Sequence, residues 1–367
     1  MKDQSIQAYL ASQRTDKNRP TVLAFPVLYP REVLTALDLC AWERWSEHPS
    51  SDGADAGKLQ GYLCPTVRGA QGVLARKDHG ARAAIIPHTC DSMQGLAAIA
   101  KSTPGWEIPV VTFRHPRGTD RPSSRLFLRD ELKAFIASLE EVFDRKLDLK
   151  KLTEAIELHR KLEGLLGEVL RGRPWLDISD EDLYATLRQL EYKHPEDSCE
   201  ALQPLADKVD RTKPRKGIGL VISGMVPEPE GFFETLDDAG GYVAADDYAA
   251  FGRRLPAYDG PIEDDPIGSV VERLLLMPPC PTRSSKVTRR IAHLLKLATD
   301  SGARGVILHT VKFCEPELFD VATLRRGLEK EGLKVLHVET EFEPQVTGQI
   351  ATRLEAFLEM LDDGRSE

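Results

Sequence analysis

The residues with the widest chemical reach in this sequence are its six cysteines, at positions 40, 64, 90, 199, 280 and 314. Thiolates hold zinc and iron–sulfur clusters, and they act as nucleophiles. Spacing narrows the choice. No two of the six form a C-x-x-C, so a local zinc ribbon and a thioredoxin-type redox pair are both excluded. Six in 367 residues is too sparse for a disulfide scaffold, and the expected cytoplasmic location would keep them reduced. Any chemistry they share must be assembled from distant segments.

Four of them stand in a repeated context. Gly80-Ala81-Arg82 opens an apolar run that ends in His88-Thr89-Cys90-Asp91, and Gly302-Ala303-Arg304 opens another that leads through His309-Thr310 to Cys314-Glu315. Upstream, Cys64-Pro65-Thr66 matches Cys280-Pro281-Thr282. The same order in both halves predicts duplicated domains. Cys90 and Cys314 fall just past an apolar strand and before a helix with an acidic first residue. A helix N-terminus lowers a thiol's pKa and favours the metal-binding thiolate. Three gathered cysteines would leave one position on a cluster open. The competing reading is a buried cysteine acting as a small hydrophobe. It is the preferred one for Cys40, in an apolar stretch (LDLCAW) read as helix, and for Cys199, in a polar connection. Cys280, in Pro-Pro-Cys-Pro, suits a rigid turn or an additional ligand.

The elements that must position these residues alternate. Thr21–Val27, 83–88 and 109–113 read as buried strands, with helices over 30–39 and 91–101. From about 124 to 192 the chain reads as helical, with leucines near the 3.6 period and Asp148 as a cap. Strands return at 217–223, 241–244, 305–309 and 334–338, separated by helices at 231–239, 284–299 and 318–331, and 348–361 closes the chain as a helix. Short apolar strands between helices predict parallel sheets covered on both faces. The expected fold is α/β: one doubly wound domain over 1–200 with the helical segment at about 124–192, a linker at 201–216, and a second domain over 217–367.

Charge excludes other classes. Lys and Arg number 49 against 58 Asp and Glu, a net −9, which does not suit a phosphate-tracking nucleic-acid surface or an anionic membrane. No apolar run approaches the roughly 18 residues of a membrane-spanning helix, and 1–16 lacks the apolar core of a secretory signal. No P-loop, H-E-x-x-H or G-x-S-x-G occurs, and Gly217-Ile218-Gly219 lies within a strand rather than in a dinucleotide turn. His88 and His309 are repeat-related candidates for an acid or a ligand, with a structural histidine as the alternative. Arg68 and Arg114 are candidates for ligand phosphates. Asp246 and Asp247 end a strand, where capping is the simpler role, and Glu339-Thr340-Glu341 reads as a solvated loop.

Three segments together resemble a known family. Tyr62-Leu63-Cys64-Pro65-Thr66-Val67-Arg68, His88-Thr89-Cys90-Asp91-Ser92-Met93 and Lys312-Phe313-Cys314-Glu315-Pro316-Glu317 are similar to the cysteine segments of the 2-hydroxyacyl-CoA dehydratase and benzoyl-CoA reductase family. The similarity extends to Pro30–Ala36, to Asp246-Asp247 with Gly252-Arg253, and to 336–361. It implies two flavodoxin-like domains with a [4Fe–4S] cluster in the cleft between them, ligated by Cys64, Cys90 and Cys314. In a double-cubane branch the cluster is larger, and Cys280 would be the extra ligand. The family resemblance further implies an ATP-hydrolysing activator that donates one low-potential electron, a ketyl radical on a CoA thioester, and a related second subunit or a homodimer. A small-molecule reductase and a non-catalytic partner subunit are the alternatives within the same family. Leu37-Asp38-Leu39-Cys40 stands where the family continues with Ala-Gly and an apolar turn in the substrate region, so the acyl group is left open.

Overall fold

The computed structural model describes residues 2–363 apart from 27, 46–59, 76–78, 103–106, 119–120, 259, 263–264 and 343–344. In chain order the first elements are α1 (Lys2–Asp16), β1 (Thr21–Ala24), α2 (Arg31–Ala36), β2 (Cys40–Glu43), α3 (Pro65–Ala75), β3 (Ala81–His88), α4 (Asp91–Ser102), β4 (Val110–Arg114), α5 (Pro122–Phe143) and α6 (Leu149–Gly172). There follow α7 (Asp180–Leu187), α8 (Pro195–Ala206), β5 (Ile218–Gly224), α9 (Phe232–Asp238), β6 (Gly241–Tyr248), α10 (Pro266–Leu275), α11 (Val287–Ser301), β7 (Gly305–Val311), α12 (Glu315–Lys330), β8 (Lys334–Thr340) and α13 (Gly348–Asp363). Among the described residues no helix is long and apolar enough to cross a membrane.

Two four-stranded parallel sheets result, in the orders β2-β1-β3-β4 and β6-β5-β7-β8. They are the same topology twice, as the repeat and the strand–helix alternation predict. Successive side chains of a strand point to opposite faces, and each inner strand of the first sheet is apolar on both. Val22, Ala24, Ala83 and Ile85 pack with Leu128, Leu132 and Phe135 of α5 and Val270 and Leu274 of α10. Leu23, Phe25, Ala84 and Ile86 pack with Leu10, Val67, Leu74 and Leu96 on the other face. In the second sheet Val221, Val306 and Leu308 pack with Leu294 of α11 and Leu324 and Leu328 of α12.

The chain divides into two compact units, each containing one sheet and each drawn from more than one stretch. The first comprises 1–163, 189–200 and 256–277, and the second 164–188, 201–255 and 278–367. Segment 256–277 supplies α10 to the first unit's core, although it follows β6 in sequence.

Four local readings differ from the structure. Glu339-Thr340-Glu341, read as a solvated loop, includes the end of β8: Glu339 and Thr340 lie in that strand, and Thr340 is buried against His309. Cys40 lies in a strand, not a helix: α2 stops at Ala36, and Asp38 takes a left-handed φ of 52° that turns the chain into β2 beside β1. The supposed linker holds the end of α8, whose Ser198, Cys199 and Leu202 are buried. Its Pro195 suits the first helical turn, and Glu196 and Asp197 favour the positive end of the helix dipole. The first strand ends at Ala24, and Val27 lies outside the described residues. Asp148 does cap α6, its Oδ1 accepting from the Lys150 amide at 2.8 Å.

Candidate functional site

Each of the three singled-out cysteines sits at the residue just before a helix. Cys64 precedes α3, and its carbonyl accepts the Val67 and Arg68 amides at 3.0 and 3.2 Å. Arg68 Nε donates back to the Leu63 carbonyl at 3.0 Å, bracing that turn. Cys90 precedes α4, where the Met93 amide points at its Sγ at 3.4 Å and the Gln94 amide reaches its carbonyl at 3.0 Å. Cys314 precedes α12, its carbonyl accepting from Glu317 and Leu318 at 3.1 and 3.0 Å. Pro65 and Pro316 occupy first-turn positions where a missing N–H costs nothing.

Cys64 and Cys90 share one unit and are electrostatic neighbours. Burial pushes the Cys64 thiol up to about 11; the Val67 amide opposes this, and the charge of a Cys90 thiolate adds to it. Burial raises Cys90 as well, against the amides of Met93 and Ser92. Both pack against the apolar face that includes Leu63, Val67 and Met93. Cys314 belongs to the second unit and is 8% exposed. Within either unit, no three His, Cys, Asp or Glu side chains of the described residues surround a point where a metal could sit. No disulfide joins any of the six cysteines.

The repeat is visible in three dimensions. Cys64 and Cys280 precede the helical segments that lead into the third strands β3 and β7, and Cys90 and Cys314 follow those strands. The equivalence is topological, yet the environments diverge. Cys280 is 1% exposed, with its Sγ 3.0 Å from Thr282 Oγ1 and 3.7 Å from Arg253 Nη1. Cys40 is also buried, its thiol 3.5 Å from the Tyr192 carbonyl and pushed up to about 12 by burial. Cys199 is buried on α8.

The two histidines diverge as well. His309 is 2% exposed, stacks on Phe232, and meets Tyr248 Oη at 2.5 Å and Thr340 Oγ1 at 2.9 Å. Burial lowers it to about 3, so it is a neutral structural group. His88 ends β3 half-buried, its pKa lowered by burial and by Arg114 and Lys101. Its buried Nε2 has no hydrogen-bond partner among the described residues. Arg114 pairs with Glu131 at 3.4 Å, and Glu341 with Lys312 at 2.6 Å.

Asp246 and Asp247 do more than cap. Asp246 Oδ2 accepts from Tyr184 Oη at 2.6 Å, and its Oδ1 accepts the Tyr248 and Gly252 amides at 3.0 and 2.8 Å. Gly252 is required there, since a Cβ would lie 2.2 Å from the Asp246 carbonyl oxygen. Asp247 accepts from Ser223 Oγ at 2.7 Å and Arg253 Nε at 3.1 Å, and Arg253 holds its carboxyl well below the usual range against the cost of burial. Arg173, Asp180 and Arg290, also buried, carry no local motif, and buried Glu317 stands in the third cysteine segment without any assigned role. Arg173 and Asp180 pair with each other across seven residues, and Glu317 pairs with Arg253 and Arg290 across 64 and 27, pairings that fall within no one helix or strand.

A duplicated doubly wound architecture with cysteines at helix N-termini beside the third strands defines a class of α/β proteins that hold thiols at strand ends. The chain belongs to the family described as 2-hydroxyglutaryl-CoA dehydratase, D-component, whose model matches residues 26–361. It is 23% identical over 358 residues to the lactoyl-CoA dehydratase subunit beta of Anaerotignum propionicum, covering 95% of this chain and 93% of that one. It is 25% identical over 289 residues to the beta subunit of (R)-2-hydroxyglutaryl-CoA dehydratase of Acidaminococcus fermentans, covering 76% and 75%. The (R)-phenyllactyl-CoA dehydratase beta subunit of Clostridium sporogenes is 22% identical over 282 residues, covering 76% and 74%.

Proposed function

We propose that this chain is the iron–sulfur, beta-type subunit of a 2-hydroxyacyl-CoA dehydratase, a lyase that works with a second subunit and with an ATP-hydrolysing activator that supplies electrons. The observation that carries the reading is the pair Cys64 and Cys90, adjacent thiols that each cap a helix and face amide N–H groups of its first turn, in a chain of this family.

The donor set fits a cluster. Iron–sulfur clusters take cysteine thiolates, and hydrogen bonds to the sulfurs tune them. Cys64 and Cys90 supply two such sulfurs with N–H donors already aimed at them, and Cys314 is the third donor. A [4Fe–4S] cluster bound there would supply low-potential single-electron chemistry and an open iron site able to polarise a thioester carbonyl. Around it the protein's own groups have separate duties. The apolar face behind Cys64 and Cys90 excludes water, and Arg68 fixes the Cys64 turn. Both thiols must lose protons on loading, and their raised pKa values make that loading release protons.

The same reading treats Cys280, Cys40 and Cys199 as structural. Cys280 is already engaged by Thr282 and Arg253. Calorimetric titration of the anaerobically reconstituted chain with a 2-hydroxyacyl-CoA, alone and with its second subunit present, tests the substrate class. Saturable heat is expected in the two-subunit complex. Its absence there, with cluster content intact, would replace the dehydratase by a cluster protein acting on another small molecule.

A further inference from the structure

We infer that Arg253 and Glu317 are positioning residues for Cys314, fixing the origin of the helix that this cysteine caps. Arg253 is 1% exposed and reaches three oxygen partners besides Cys280 Sγ: Asp247 Oδ2 at 3.1 Å through Nε, Ser223 Oγ at 2.9 Å through Nη2, and Glu317 Oε1 at 2.5 Å through Nη1. The other oxygen of Glu317 accepts from Arg290 Nη2 at 2.8 Å, and Arg290 Nη1 continues to Asp320 Oδ2 at 2.9 Å. His293 Nε2 lies 3.1 Å from the remaining oxygen of Asp247.

Glu317 is the third residue of α12, and its own amide bonds the Cys314 carbonyl at 3.1 Å. One residue therefore joins the buried ions to the cysteine. Ser223 and Asp247 come from the ends of β5 and β6, Arg253 from the turn beyond β6, and Arg290 from α11. Four segments thus converge on the first turn of α12. The entry to that helix needs fixing: Phe313 has a left-handed φ of 61°, and Cys314 sits at φ −78°, ψ 85° before the helix begins. The carboxylate of Glu317 suits the positive helix end, and an Arg fork locks geometry that a point charge does not. Outer groups of this kind orient metal ligands. The network also contacts Cys280, so the thiol equivalent to Cys64 is part of the brace in this half. The inference rests on Cys314 being a ligand, but it is testable on the thiol itself.

The test is labelling of the full-length, metal-free chain with iodoacetamide under anaerobic conditions, followed by mass spectrometry of the peptides carrying Cys64, Cys90 and Cys314. In Arg253→Met and Glu317→Gln, with native circular dichroism, Cys314 should label roughly tenfold faster as its turn opens locally. Cys64 and Cys90, in the other unit, should stay within about twofold of wild type. Arg253→Lys, which keeps the charge but not the fork, should be intermediate, and it decides the matter if the other two variants do not fold. After iron and sulfide are restored, the folded variants should also show altered visible and electron-paramagnetic-resonance spectra. A Cys314 rate equal to wild type overturns the inference. So does equal acceleration of all three cysteines, which would mark general loosening. Failure of the wild-type chain to take up iron would instead defeat the proposed function and leave the labelling result to stand.

Discussion

Cys64→Ala, Cys90→Ala and Cys314→Ala are each expected to lower bound iron by at least roughly tenfold and to remove the visible thiolate-to-iron absorbance. The expectation follows from position. Each sulfur stands where a helix begins, and alanine there leaves no donor and no other cysteine able to replace it. Cys280→Ala is the informative contrast. Its thiol occupies the topologically equivalent place to Cys64 but is turned into contact with Thr282 and Arg253. Iron should therefore be retained, with a loss of stability from the emptied space and the broken contact. Cys40→Ala and Cys199→Ala should likewise keep their iron. Unchanged spectra in all three ligand variants would leave the chain as a non-catalytic partner with a purely structural set of thiols.

The largest expected stability effect lies elsewhere. Arg173 and Asp180 are both fully buried and joined at 2.6 Å. Asp180 Oδ1 also meets Arg215 at 3.1 Å, and its Oδ2 accepts the Val243 amide at 2.8 Å, holding the middle of β6. Asp180→Ala would strand the Val243 amide in the interior and leave the buried Arg173 guanidinium with only Tyr184 Oη at 2.8 Å and the Asp246 carboxylate at 3.7 Å. Removing one member of a buried pair costs about 3–5 kcal/mol, a fall of roughly 10 °C in the melting temperature for a protein this large. Replacing both partners by apolar residues should recover only part of the loss, because buried Asp246 then loses Arg173 and the Val243 amide still lacks an acceptor. Denaturant melts of the two variants check this. A single variant within about 1 kcal/mol of wild type would show the pair to be dispensable.

The two sheets were legible because their inner strands are apolar on both faces and short, and because the G-A-R to His-Thr repeat marks the third strand in each half. Asp148 as a cap was legible from residue type. Cys40 was not: apolarity fits strand and helix alike, and what ends α2 is the left-handed turn at Asp38. Cys280 was set apart from Cys64 by its Pro-Pro-Cys-Pro context, but what engages its thiol was not legible, since both precede Pro-Thr. The difference is made by Arg253, twenty-seven residues away from Cys280. The buried ions of the second unit join Ser223, Asp247, Arg253, Arg290 and Glu317 across five segments, and no periodicity records such pairings. The return of 256–277 to the first unit has the same character: α10 is amphipathic in sequence, but which core it covers is a tertiary fact.

Anaerobic purification with iron and acid-labile sulfide analysis tests the central claim most directly. About four irons and four sulfides per chain are expected for one cubane, and about eight irons would indicate the double form. No iron after reconstitution with ferrous iron and sulfide would contradict the account.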